Sequence, residues 1–362
     1  MIFALLAPCQ ERRCLSDIWK PSPFQGTSRS RPLSSERDRL GARRAALEAR
    51  ARIRAAIRAW FEGEGFLEVE TPARVPAPGQ ELHLDAIAAH AGDLRWLATS
   101  PEYHMKRLCA AGFQRIVQIG KAFRGGERGP HHLSEFTIIE WYRAGASLEA
   151  LAVDCEQLLR VAARAAGRDP APLGLAADFE RTTVRALLRA HAGLDLAGDE
   201  SAAELRAKAI AAGAFAGAPP PDDTAWDDLF FQIFLDRVEP RLGRGGPTFV
   251  FDWPAPLGAL ARRHPGDPRL VERFELYAGG LELANAFGEL TDAGEQRARF
   301  IEESRLRAAR GKAVYPLDEK LLAALPQMPP TAGIALGFDR LVMLVLGATE
   351  IREVVAFADD EV

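Results

Sequence analysis

The chain has 362 residues, 48% of them hydrophobic and 27% charged, with a formal net charge of −4, which describes an ordinary globular protein of one large or two smaller domains. That balance excludes a global basic field drawing the chain to nucleic acid, and no apolar run is long enough to span a bilayer. The four cysteines, Cys9, Cys14, Cys109 and Cys155, lack CxxC spacing, and Met1–Pro8 lacks a signal-peptide pattern, so reduced thiols and a cytoplasmic location are expected.

Residues 1–35 are rich in Pro, Ser, Arg and Gly without a sustained period and are expected to form a disordered tail. From Ser35 an Ala- and Arg-rich helix is predicted, with Ile53, Ile57, Trp60 and Phe61 on one apolar stripe. Gly63 and Gly65 stop it, and Phe66–Pro72 reads as a strand ended by proline. Residues 115–143 read as a strand Arg115–Arg124, a loop Gly125–Ser134 and a strand Glu135–Tyr142. Residues 147–245 read as a mainly helical insertion, because strand patterns resume at Thr248–Trp253 and Phe274–Leu290. Gly333–Leu346 reads as a strand running into a helix. Strands separated by helical stretches without βαβ alternation predict one α+β domain over 36–362, an antiparallel sheet flanked by helices. Neither GxGxxG after a strand nor GxxxxGK[ST] occurs, so any use of ATP needs another phosphate cradle.

Three segments carry candidate chemistry. In Phe123–Tyr142 the strand alternation points Phe136, Ile138, Glu140 and Tyr142 one way. An aromatic ring, a carboxylate and a phenol on one face suit a base-stacking platform beside a cation pocket. Arg124 and His132 flank the loop as phosphate ligands, arginine by two-point contact. The same residues also fit a plain hairpin with a charged tip. In Phe274–Leu290, Gly279–Gly280 is a two-residue turn signal pairing 278 with 281 and 275 with 284. Glu275 and Glu282 then share a face one diagonal step apart, roughly 7–8 Å. Two converging carboxylates repel unless a cation sits between them, and Mg²⁺ bridged to phosphate oxygens is the natural one. Glu289 is a third acid suited to a substrate ammonium, although a solvated acidic hairpin fits this segment equally. In Gly333–Met343 small residues admit close backbone approach, and Arg340 at the strand-to-helix junction is placed to stack on a base. A buried strand and helix with a structural arginine is the plainer alternative.

In this order, and with the helix and strand ending at Pro72 ahead of them, the three segments resemble motifs 1, 2 and 3 of class II aminoacyl-tRNA synthetases, from about residue 37 onward. The resemblance is strongest to the lysyl-tRNA synthetase branch, through Thr99-Ser-Pro-Glu-Tyr-His-Met-Lys-Arg-Leu108, the motif 2 hairpin and Glu282-Leu-Ala-Asn-Ala-Phe-Gly-Glu-Leu290. It implies ATP-dependent activation of lysine or (R)-β-lysine as an adenylate, by positioning and electrostatics without a covalent nucleophile. It implies ATP contacts from Arg124, Glu127, His132, Phe136, Glu282, Leu283, Gly337 and Arg340. Arg124 and Arg340 are then the catalytic pair, Arg124 on the α-phosphate and Arg340 opposite Phe136 across the adenine. Mg²⁺ falls to Glu275 and Glu282. The amino acid falls to Ser100, Glu102, Glu140, Tyr142, Asn285, Glu289 and Ala335, with Glu289 and Tyr142 on the side-chain ammonium. A homodimer through motif 1 is also implied.

Lysyl-tRNA synthetases carry an anticodon-binding barrel before motif 1. About 35 residues precede it here, too few for a five-stranded barrel. The expected relatives are therefore the synthetase paralogues that transfer (R)-β-lysine to a lysine of elongation factor P, with tRNA not the acceptor. Ala335 and Ala284 stand where the tRNA synthetases have glycine, and a methyl in a pocket discriminates by about 1–3 kcal/mol. A truncated synthetase acting on tRNA or a free amine, and a binding paralogue without activity, are the competing expectations. Three departures from the family pattern bear on the site. Gly125-Gly126 stands for Asn-Glu, leaving Glu127 as the nearest acid, and Leu133-Ser134 stands for Asn-Pro. Ala286 replaces a glycine and would be strained at positive φ.

Overall fold

The helix expected from Ser35 forms as two, α1 (Glu36–Ala42) and α2 (Arg44–Gly63), in the computed structural model, which describes residues 35–362. The tail expected over 1–35, Ser35 aside, lies outside the described residues, as do Cys9 and Cys14. Ser35 and Asp38 form a reciprocal capping box at the start of α1. α2 buries Ile53, Ile57 and Phe61, while Trp60 stays partly exposed. β1 (Leu67–Glu68) is shorter than the predicted strand, because the Thr71 N–H bonds to the Gln118 side chain and leaves the ladder.

β2 (Arg74–Val75), β3 (Ala88–His90) and β4 (Leu94–Leu97) make a small antiparallel sheet that precedes α3 (Glu102–Ala110). β5 (Arg115–Phe123) and β6 (Glu135–Ala144) form the expected hairpin, in unbroken register from Arg115 opposite Arg143 to Phe123 opposite Glu135. The stretch read as an insertion holds α4 (Leu148–Ala165), β7 (Glu180–Thr183), α5 (Val184–Ala192), α6 (Ala202–Ala211) and α7 (Trp226–Ile233). Two of these belong to the main architecture. β7 pairs parallel with β8 (Thr248–Pro254), and α4 packs into the core beside α2. The remaining elements are β9 (Arg263–His264), β10 (Asp267–Ala278), β11 (Leu281–Gly288), α8 (Ala293–Ala309), α9 (Glu319–Ala324), β12 (Thr331–Gly337) and α10 (Phe338–Leu346).

The main sheet runs β1-β5-β6-β12-β11-β10-β8-β7, with β9 on β10. Its six central strands pair antiparallel and only the edge strands β1 and β7 pair parallel, so the α+β class stands. Alternation divides its faces. On one, Val117, Ile139, Trp141, Ile334, Leu336, Ala284, Ala286 and Phe274 pack against Ile53 and Phe61 of α2, Leu151 and Leu158 of α4 and Leu341 and Val345 of α10. Each such large side chain contributes about 1.5–3 kcal/mol on burial. On the other face Gln118, Glu140, Ala335, Asn285 and Glu275 form one rung across five strands. The next rung is Ile116, Tyr142, Gly333, Phe287 and Arg273.

One register prediction is corrected. Gly279 and Gly280, at φ +62 and +78, make the turn and pair Ala278 with Leu281 as expected. A bulge next to Leu276 and Tyr277 then inserts an extra residue on β11, so Asn285 and not Ala284 stands opposite Glu275. Ala284 therefore faces the core and cannot place its methyl in a substrate pocket. Ala286 lies in the β11 ladder between Phe274 and Ile334 and is absent from the positive-φ residues, so the expected strain does not arise. Among the described residues no helix is long and apolar enough to cross a membrane, and Cys109 and Cys155 are buried free thiols.

Candidate active site

Arg124 leaves the end of β5 with its backbone N–H donating to the Ser134 carbonyl at 2.9 Å across the hairpin mouth. The side chain is fully buried. Its Nε donates to the Thr99 carbonyl at 3.4 Å, and the guanidinium lies 5.0 Å from the Phe136 ring centre. Gly126 adopts φ +80, and the Gly125 N–H donates to the Asp85 carbonyl at 2.6 Å, where a Cβ would press to 3.2 Å. The Gly-Gly departure thus follows from the loop geometry. Glu127 is the acid this loop delivers, its carboxylate 3.8 Å from Arg124, and burial pushes its pKa up.

Glu127, His132, Phe136, Gly337 and Arg340 line one cleft. Arg340, in the first turn of α10, donates to the Glu282 carbonyl at 2.7 Å and the His131 carbonyl at 3.3 Å, and lies 2.6 Å from His132 Nε2. Phe136 and Arg340 share the cleft, a pairing suited to a stacked planar ring. Leu283 does not share it. Its side chain is in the core, so only its backbone can face a nucleotide. Asp339, passed over in the sequence, ties the cleft together by pairing with Arg50 of α2 at 2.5 Å and accepting the Thr137 N–H at 2.7 Å.

The two acids predicted for metal differ in their surroundings. Glu275 accepts from Arg273, from Asn285 at 3.2 Å and from the Tyr277 hydroxyl at 2.6 Å. Glu282 has its Oε1 sealed from solvent without a hydrogen-bond partner, and burial, then the charge of Glu275, drives its pKa well up. Glu239, hidden in the helical stretch before β8, adds a third negative charge, and burial followed by Glu275 pushes its own pKa up to about 7. Among the described residues no three His, Cys, Asp or Glu side chains form a ready metal cage. Mg²⁺ usually takes only one or two carboxylates and keeps waters and substrate phosphates. The orphaned Glu282 oxygen fits that demand, with Glu275 as a carboxylate already fixed in place. An ion held there would neutralise phosphate charge.

The amino-acid residues gather on the same sheet face. Glu140 accepts from the Tyr142 hydroxyl at 2.7 Å and from Ser100 Oγ at 2.7 Å, while Ser100 Oγ accepts the Glu102 N–H at 3.0 Å. The residue the sequence did not single out is Lys106. It is 1% exposed, and its ammonium sits 2.7 Å from Glu102 Oε1 and 2.6 Å from Glu289 Oε2. Its only signal is the i,i+4 spacing from Glu102 inside the Thr99–Leu108 segment. Glu289 therefore keeps one oxygen for a ligand. That oxygen and the Tyr142 ring close over Gly333, where a Cβ would come within 2.2 Å and 2.3 Å of them. Asn285 and Ala335 lie in the adjoining rung.

Burial and the charge of Glu102 push Glu140 up to about 8, and burial pushes Glu289 up to about 7 against the pull of Lys106. Acids with raised folded pKa values bind more protons folded than unfolded, so stability falls as pH rises from the ordinary carboxylate value through about 8. An ammonium ligand needs these groups charged. From about pH 6 to about pH 9, calorimetry should show a falling Tm, and kinetics a falling KM for the amino acid; a KM flat over that range would contradict the assignment.

The model of the family described as class II tRNA synthetases (D, K and N) matches residues 33–361. The chain is 42% identical over 320 residues, 86% of this chain and 94% of the relative, to the elongation factor P–(R)-β-lysine ligase of Erwinia tasmaniensis. It is 41% identical over 320 residues to the ligase of that name in Klebsiella pneumoniae subsp. pneumoniae, and 40% identical over 323 residues to that in Vibrio cholerae serotype O1, with the same shares covered.

Proposed function

We propose, because this chain belongs to the class II tRNA synthetase family, that it is an ATP-dependent ligase activating (R)-β-lysine or lysine for transfer to elongation factor P. A carboxylate oxygen of the amino acid attacks the α-phosphorus, the new P–O bond forms, and the bond to pyrophosphate breaks with pyrophosphate leaving. The ε-amino group of a lysine on elongation factor P then attacks the acyl carbon, loses a proton and releases AMP. The observation that carries this reading is that one face of β6 runs from Phe136, which lines a cleft with Arg340 and lies under the Arg124 guanidinium, to Glu140 and Tyr142, beside the acids Glu102 and Glu289 around Lys106.

Arg124 holds the α-phosphate and meets the charge that develops on it. Phe136 and Arg340 hold the adenine. Mg²⁺ at Glu282 and Glu275 neutralises phosphate charge when bound. A protein nucleophile is not required, and burial pushes the nearby Cys109 thiol up to about 12, which removes it as one. The acceptor is taken from the names of the relatives. The location is cytoplasmic, and the assembly is a homodimer through α2 and the edge strand β1, where Leu67 stands exposed.

Ala335 is the pocket position that bears on the isomer. Ala335→Gly should relax the preference between (R)-β-lysine and lysine by about tenfold in kcat/KM, and an unchanged ratio would remove that residue from the account. The reading as a whole is tested by ATP–pyrophosphate exchange with (R)-β-lysine, with lysine and with no amino acid. Exchange that depends on one of the diamino acids supports it, and exchange with neither rejects it.

A further inference from the structure

The loop joining β2 to β3 is fastened from behind by α8. Arg307 donates to the carbonyls of Glu81, Leu82 and Leu84 at 2.9, 3.2 and 2.8 Å, and the Leu82 N–H donates to Glu303 at 2.8 Å. Ser304 Oγ donates to Gln80 at 3.2 Å, and Gln80 donates to the Pro316 carbonyl at 2.8 Å. With the backbone held at so many points, the Glu81 carboxylate is the exception. Its stem is partly exposed, yet both of its oxygens are sealed from solvent and neither has a hydrogen-bond partner. A buried acid left in that state is costly unless a ligand supplies the missing donor.

The geometry shows where such a donor would come from. A Cβ on Gly79 would lie 2.2 Å from Glu81 Oε2 and 2.9 Å from Thr99 Oγ1, so the carboxylate and that hydroxyl meet over Gly79. Gly79 and Thr99 line the same pocket as Ser100 and Glu102. The Thr99 carbonyl in turn accepts from Arg124. The carboxylate thus lies against Gly79, a wall of that pocket, and within reach of the charges of both Glu102 and Arg124. Burial, then the charge of Glu102, raises its pKa, the condition that a bound cation would relieve.

We propose that Glu81 is a substrate-binding residue that takes the ammonium nearest the reacting carboxyl group of a diamino acid, and so reads which carbon bears it. The proposal rests on the lysine-type adenylation above and adds a residue to that site. Glu102 Oε2, which also lacks a partner, faces the same demand for a cation. The distant ammonium is left to Glu289 and Tyr142. Lys106 offsets one of the four carboxylates in this pocket, and a substrate carrying two ammonium groups suits the excess that remains.

The test is steady-state ATP–pyrophosphate exchange by the full chain, unaltered and as Glu81→Gln and Glu81→Asp, with both lysine isomers, alongside calorimetry. The expected result for Glu81→Gln is a KM for the amino acid raised about 10- to 100-fold, with the KM for ATP unchanged, the preference between isomers diminished and the Tm not lowered. Glu81→Asp, which restores the charge one methylene short, should fall between. A Tm drop in Glu81→Gln with both KM values unmoved would show a structural group and overturn the proposal, as would an unmoved amino-acid KM alone. Absence of exchange by the unaltered chain would instead overturn the adenylation reading, and this inference with it.

Discussion

Arg124→Ala should lower ATP–pyrophosphate exchange by about 100- to 1,000-fold, the cost of about 2.7–4 kcal/mol seen when a donor to developing negative charge is removed from a dry site. The guanidinium is fully buried, supported by the Thr99 carbonyl and the Phe136 ring, so it is oriented before ATP arrives. Arg124→Lys keeps the charge but loses the two-point fork and should recover only part of the rate. Circular dichroism on both variants separates lost chemistry from lost folding. Retention of activity within about tenfold in folded Arg124→Ala would contradict the assignment of the α-phosphate to this residue.

Lys106→Met is expected to destabilise the protein by about 3–5 kcal/mol, because it leaves Glu102 and Glu289 buried without their shared cation. Methionine fills similar volume, so the loss reports charge more than cavity. Urea denaturation near pH 7.5 measures it. The loss should shrink toward about pH 5, because Glu289, which burial pushes up to about 7, takes up a proton over that range. Adding Glu289→Gln to Lys106→Met should return part of the stability, a coupling expected of residues in one network. A change below about 1 kcal/mol would mean that the ion pairs contribute no more than surface contacts.

Much of this layout was legible in the residues. The β5–β6 hairpin follows from its strand propensities and the Gly- and Pro-rich loop between them, and period-two alternation alone placed Phe136, Ile138, Glu140 and Tyr142 on one face. The order of three motifs singled out Glu127, His132, Phe136, Gly337 and Arg340, which the fold brings to one cleft. What escaped were features that depend on position in three dimensions. A bulge of one residue on β11 exchanges the faces of Ala284 and Asn285, and no local signal in Leu281–Gly288 announces it. Lys106 reads as a surface residue of an amphipathic helix until α3 is packed against Glu289. Glu81 and Glu239 lie in a loop and a helical turn outside the motifs, and only the fold brings them near the other acids. β7 was lost in a helical stretch because a four-residue edge strand is too short for its period to show.

The central claim is that this chain forms an aminoacyl-adenylate and passes the amino acid to a protein. Its most direct test is the intact mass of elongation factor P after incubation with the full chain, ATP, Mg²⁺ and either lysine isomer, with bulk tRNA as a parallel acceptor. The account predicts a gain of one lysyl unit on the factor, none on tRNA, and none on either with Arg124→Ala. An unmodified factor beside charged tRNA would contradict it in favour of a truncated synthetase, and no gain on either acceptor together with no exchange would contradict it in favour of a binding protein.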